Sequence, residues 1–220
     1  MPSIPRASRH KKRSATRAPR RAADAVSTHD QILAAAYRTL VELGYNQVSM
    51  RKIADEAGVN QSLLHYYFGS KENLMVEVLG YVNEQRLAQQ RKMYAEAGSF
   101  QAIWDQALEY FKEDVRSGYV RALWELWAQG LSNPRIKKRW VEMAQGWRDL
   151  VTNLAAHALD EYGITGQYDP RAVGAIIGNL YFGAEVTILA FQDPHVHFEA
   201  IRLMGGMFRR LAQDVPKTRA

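Results

Sequence analysis

"IADEAGVNQSLLHYYFGSKENL", residues 53 to 74, contains two short helical patterns separated by one glycine, then an aromatic pair and a lysine. Two helices crossing at a tight corner need a small residue at the crossing, a glycine at the corner and apolar residues that pin the second helix to the first. Ala54, Gly58, Val59 and Leu64 fill those roles. The second helix is then free to present Asn60, Gln61, Ser62, His65 and Tyr66 on its opposite face. Asn and Gln side chains suit adenine edges, while Ser, His and Tyr can bond bases or phosphates. The pattern predicts a helix-turn-helix whose second helix fits one DNA groove, against the plainer reading of a helical corner with a polar outer face. Lys71 adds a cation at the start of the next helix, where backbone amides could hold a phosphate, and Ser49 could do the same one helix earlier.

Outward from this stretch the chain reads as helices. Thr28 is placed to cap a helix with Ile32, Leu33, Ala36, Leu40 and Leu43 at helical spacing, closed by Gly44. Ser49 and Asn60 are placed to cap the two short helices, and a long helix starts at Lys71 and fades near Gly98. Further apolar stripes run over residues 100–115, 121–131 and 134–154, the last opened by Asn133 and Pro134. Asp169-Pro170 and Asp193-Pro194 open two final helices in the same way, after a loop over residues 162–168. No segment alternates at period two, so the expected class is all-α. The expected division is a basic arm over 1–26, a three-helix DNA-binding unit over 27–72 and a larger helical body over 73–215 for ligand binding and dimerisation.

The net charge of +6 comes from the arm, whose eight Arg and Lys face Asp24 alone and leave the rest of the chain at −1. Such a segment is too polar to fold by itself, and it would attract phosphates without reading sequence. A solvated tail is the alternative. The arm lacks the central apolar run of a secretory signal, so a cytoplasmic location is expected. The absence of cysteine excludes disulfides, zinc-cysteine sites and thiol nucleophiles.

From Thr28 to Leu74, the pieces "ILAAAYRTLVELGYNQVSMRKIADEAGVNQSLLHYYFGSKENL" resemble the tetracycline-repressor (TetR) family of bacterial regulators. The resemblance spans about a fifth of the chain. It implies that the first helix supports the motif, the second lies over the DNA backbone and the third enters the groove. Ser49 and Arg51 would then contact phosphate, with Thr28 at the edge of the same surface. Asn60, Gln61, Ser62 and His65 would face base edges or phosphates, and Tyr66, Tyr67 and Lys71 would hold the backbone. His65 stands where the family often has tyrosine and Tyr66 where it often has histidine, which leaves open which of the two meets DNA. The resemblance further implies a homodimer built on the last two helices, an operator of double-stranded DNA, and a repressor released by a small-molecule effector.

The segment "AVGAIIGNLYFGAEVTILAF", residues 172 to 191, is apolar nearly all round and rich in Gly and Ala. Its length would suit a bilayer, but Asn179, Glu185 and Thr187 argue for a buried interface helix and against a membrane partner. Gly174, Ile177, Gly178 and Tyr181 are the expected dimer contacts, facing Phe198, Ile201, Met204 and Phe208 of the final helix. In the body, Trp104, Phe111, Trp124, Trp127, Met143, Trp147 and Tyr181 read either as plain core or as the wall of an aromatic pocket. Such a pocket would take an apolar ligand or an organic cation, because Trp faces attract cations. Glu125 and Gln129 could supply it with a polar contact or face solvent.

His195 and His197 point in different directions on a helix, so no metal is expected there. No phosphate loop, HExxH or G-x-S-x-G is present. No cofactor is expected and an enzyme has no residues to name. The alternative to a regulator is a helical protein that sequesters a small molecule and holds DNA without preference among sequences.

Overall fold

The computed structural model describes residues 27–214, and the basic arm over 1–26 and the final six residues lie outside them. Among the described residues there are helices and turns and no strand. Helix α1 spans Thr28–Leu43, α2 Met50–Ala57, α3 Gln61–Phe68 and α4 Lys71–Glu96. The body adds α5 (Phe100–Arg116), α6 (Tyr119–Gly130), α7 (Pro134–Glu161), α8 (Pro170–Phe191) and α9 (Pro194–Asp214).

Local capping chemistry sets most of these starts. The side chains of Ser49, Asn60, Ser70, Ser99, Asn133 and Asp169 each accept a hydrogen bond from a first-turn amide of the helix that follows. Helix α1 departs from expectation by one residue. Ser27 is its cap, with Oγ accepting from the Asp30 amide, while Thr28 is already helical and exposed.

Two apolar cores organise the chain. The first joins Ile32 and Leu40 of α1, Ile53 of α2 and Leu64 of α3 to Leu74 and Val78 of α4, and continues into Leu126 of α6 and Ile136 of α7. The second lies between α5, α7, α8 and α9, around Phe100, Trp104, Leu154, Ile177 and Ile201. The three short helices therefore share one continuous core with the body, which fixes how they sit on it.

Helix α8 is long and apolar enough, by length and composition alone, to cross a bilayer. Its glycines explain its composition differently. A Cβ at Gly174 would come within 3.0 Å of the Thr152 backbone, and one at Gly178 within 3.0 Å of the Trp147 ring. Small residues here let α7 and α8 approach closely.

Candidate functional site

Helix α3 buries Leu64 and Phe68 and exposes Gln61, Ser62, His65 and Tyr66. One face holds the helix in place and the other faces outward. Several of the exposed groups are already engaged. Asn60 Oδ1 accepts from both the amide and the hydroxyl of Ser62 at 2.9 Å, so this pair is used in part as the cap. The ring of His65 lies 3.2 Å from the Gly69 carbonyl through Nδ1 and 3.3 Å from Gln61 Nε2 through Nε2. Both ring nitrogens therefore have a hydrogen-bond neighbour within the motif.

Tyr66 differs: its side chain is 82% exposed and its hydroxyl has no hydrogen bond among the described residues. It stands edge-on to Tyr67, whose ring in turn meets that of His29. Arg51 projects from α2 with only a 4.0 Å approach to Asp55, and the Ser49 hydroxyl accepts from the Lys52 amide. Lys71 is turned inward. Its ammonium donates to the carbonyls of Tyr45 and Val48 and lies 4.1 Å from the centroid of the Tyr45 ring, so it braces the turn between α1 and α2. This role corrects its expected place on the outer surface, and its partners are backbone atoms that no residue pattern reveals.

In the body, a cavity of about 120 Å³ opens between α4, α5, α6, α7 and α8. Trp104, Phe111, Met143, Trp147 and Tyr181 line it, together with Trp140 and Phe182, which the sequence reading did not single out. Trp124 and Trp127 are not on its wall. Trp127 packs on Trp140 with ring centroids 4.3 Å apart, inside the first core. Trp124 stands behind the wall and donates its indole N–H to Glu185 at 2.8 Å.

Glu185 is one of three charged residues on the wall, with Arg86 and Asp114. Arg86 and Asp114 form an ion pair at 2.5 Å, and Arg86 also hydrogen-bonds Tyr37 of α1 and lies over the Tyr119 ring. Burial pushes the Glu185 carboxyl up to about 7, against the Trp124 hydrogen bond that pulls it down, with the nearby Asp114 charge adding to the rise. Asp114 is itself raised to about 6 by burial, despite Arg86. Two further wall atoms, the Tyr181 hydroxyl and Trp140 Nε1, are buried without a hydrogen-bond partner.

Neither Glu125 nor Gln129 is on the cavity wall. Glu125 instead reaches the start of the turn after α1, and Arg121, one helical turn before it, donates to the Val41 carbonyl.

The residues expected between two copies are turned inward. Ile177 and Ile201 are 2% and 0% exposed, Gly174 and Gly178 face α7, and Tyr181, Phe198, Met204 and Phe208 pack in the second core. Ile177 and Ile201 are thus committed to the protomer's own core, while Tyr181, Phe198, Met204 and Phe208 remain partly exposed. The opposite faces carry the free apolar groups: Ile176, Val186 and Leu189 on α8, and Val196, Leu203 and Met207 on α9. Both helices are apolar on two sides, so spacing alone gave no means of choosing between them.

Among the described residues no group of three or more His, Asp or Glu side chains is arranged to hold a metal ion.

Residues 32–78 match the model of the family described as bacterial regulatory proteins, tetR family. The HTH-type transcriptional regulator BetI of Agrobacterium fabrum is 49% identical over 45 residues, which are 20% of this chain and 22% of that protein. The match thus spans about a fifth of that relative's length. A TetR transcription regulator from Haloarcula marismortui superimposes with a TM-score of 0.71 at 23% identity, over 82% of this chain and 95% of its own. A transcriptional regulator from Saccharomonospora viridis, solved in complex with choline, gives 0.66 at 17% identity over 79% of this chain and 93% of its own. At these identities the two structures speak for the fold alone.

Proposed function

We propose that this chain, which belongs through residues 32–78 to the tetR family of bacterial regulatory proteins, acts as a dimeric, sequence-specific DNA-binding transcriptional repressor released by a small molecule. The observation that carries the reading is the two-sidedness of α3, with Leu64 and Phe68 locked into the core and Gln61, Ser62 and Tyr66 presented outward. In a two-fold dimer, two such helices about one DNA turn apart read the two halves of a near-palindrome. Arg51 and the Tyr66 hydroxyl hold phosphate, Gln61 reads a base edge, and His65 shapes the end of α3.

The division at residue 72 separates reader from body, and the aromatic cavity takes the effector. Its occupation moves α4 and α6, which reach both the cavity and α1, and the spacing of the two readers changes. The effector needs only a different affinity for the two arrangements. Dimerisation uses the outer faces of α8 and α9, around Ile176, Leu203 and Met207.

Selection of binding sites from random DNA at near-physiological salt tests this reading, with a Gln61→Ala, Tyr66→Ala double variant alongside. An enriched palindrome that the variant fails to select is expected. Binding without enrichment that vanishes as salt rises would replace the reading with that of a sequestering protein whose basic arm alone holds DNA.

A further inference from the structure

The charges on the cavity wall do not cancel. Arg86 is matched by Asp114 at 2.5 Å and further engaged by Tyr37 and the Tyr119 ring. Glu185 has no cation beside it and only the Trp124 indole as a hydrogen-bond partner. Ionised, the wall carries one net negative charge, in a cavity also lined by the mutually packed rings of Trp140, Trp147 and Phe182. An apolar ligand gains nothing from Glu185, which burial then holds protonated, and a carboxylate ligand would meet both Glu185 and an arginine already paired. A cation gains from the charge and from the ring faces together. The Tyr181 hydroxyl and the Trp140 N–H, on the same wall, are buried and unpartnered, and each can donate to a ligand oxygen.

We infer that the cavity selects a compact organic cation bearing an oxygen acceptor, with Glu185 matching its charge and an unpartnered donor of the wall, Tyr181 or Trp140, meeting its oxygen. This rests on the reading of the body as the effector-binding part, but the ligand class comes from the wall residues alone. The groups facing Glu185 are Trp124 and Tyr119 from α6, Asp114 from α5 and Arg86 from α4. With burial holding the carboxyl near neutrality, cation binding fixes it in the ionised form and releases a proton.

The test compares choline with 3,3-dimethylbutan-1-ol, which has the same shape with carbon in place of the charged nitrogen, and with hexanoate. Each is titrated into the purified full chain and followed by tryptophan emission and by calorimetry in two buffers of different ionisation heat. Choline is expected to bind at least about tenfold more tightly than the alcohol, with a fraction of a proton released near pH 7. Glu185→Gln, which keeps the shape of the side chain, is expected to remove both the preference and the proton release. Phe182→Leu, with the carboxylate in place, weakens choline and keeps the proton release.

Equal binding of choline and the alcohol, or tighter binding of hexanoate that Arg86→Gln abolishes, overturns the inference, as does no binding of choline at millimolar concentration. Operator selection is scored separately on the ligand-free protein. A selected palindrome without choline binding sinks the ligand class and leaves the regulator standing. Choline binding without a selected site does the reverse.

Discussion

The carboxylate of Glu125 on α6 accepts a hydrogen bond from the Tyr45 backbone amide at 2.5 Å, tying the body to the turn that follows α1. The residue before it, Trp124, donates to Glu185 on the cavity wall. Two adjacent positions of one helix thus touch the cavity side and the reader side.

Removing the tie should loosen that turn without unfolding α3. In Glu125→Ala the Tyr45 amide loses its partner, at a cost of about 1–3 kcal/mol. Hydrogen exchange at Tyr45 is expected to quicken while that of Leu64 holds. Uniform exchange across wild type and variant would mean the contact contributes nothing.

Gly44 makes this approach possible. Its φ of 75° is a left-handed value, and a Cβ there would come within 3.0 Å of Glu125 Oε2. Gly44→Ala combines backbone strain of about 1–2 kcal/mol with a forced retreat of the carboxylate. In thermal melts the double variant Gly44→Ala, Glu125→Ala should lose less, relative to wild type, than the sum of the two single effects, because both break one contact. Simple additivity would argue against the shared contact.

On the exposed face of α3, Tyr66→Phe removes a free hydroxyl, whereas His65→Ala removes two hydrogen bonds within α3 and its C-terminal cap. Tyr66→Phe is expected to weaken operator binding by about 1 kcal/mol with the melting temperature held, and His65→Ala to lower the melting temperature as well. The reverse ordering would reassign the contact to His65.

The faces of α8 and α9 separate two effects. Leu203→Glu, on the exposed side, should shift sedimentation from dimer toward monomer. Ile201→Ala, on the buried side, should cost about 2–5 kcal/mol of stability and leave assembly as it was. A Leu203→Glu protein that stays dimeric would move the interface elsewhere.

Stability should also depend on pH in a set direction. Glu185 rises from 4.5 to about 7 and Asp114 from 3.8 to about 6 on folding, both chiefly through burial. The folded chain therefore holds more protons than the unfolded chain across that range, and these groups lower stability as pH climbs from about 4 to about 7, with no further change above. Glu185→Gln should flatten the upper part of this slope in chemical denaturation. An unchanged slope would assign it to other groups.

Much of the fold was legible because its signals are local. Ser49, Asn60, Asn133 and Asp169 cap helices whose starts could be read from a residue and its next three neighbours. The two-sidedness of α3 was equally visible in Leu64 against Gln61 and Tyr66. What escaped depended on distant partners: Lys71 is turned inward by carbonyls 23 and 26 residues away, and Glu125 finds an amide 80 residues away. The inner and outer faces of α8 carry similar apolar residues, so their assignment needed α7 in place. Among the tryptophans, Trp127 is separated from the cavity wall by packing on Trp140, and Trp124 by the turn of its indole toward Glu185, neither of which spacing reveals.

Three contacts around the end of α1 and the turn after it share one property. Glu125 ends on the Tyr45 amide, Arg121 on the Val41 carbonyl, and Lys71 on the carbonyls of Tyr45 and Val48, all main-chain atoms. Main-chain atoms survive substitution, so the side chains that read DNA are free to drift while the joint persists. A reader grafted from a related chain that keeps the glycine at 44 and the apolar residues of the shared core would inherit these three contacts without matching any other polar side chain to them.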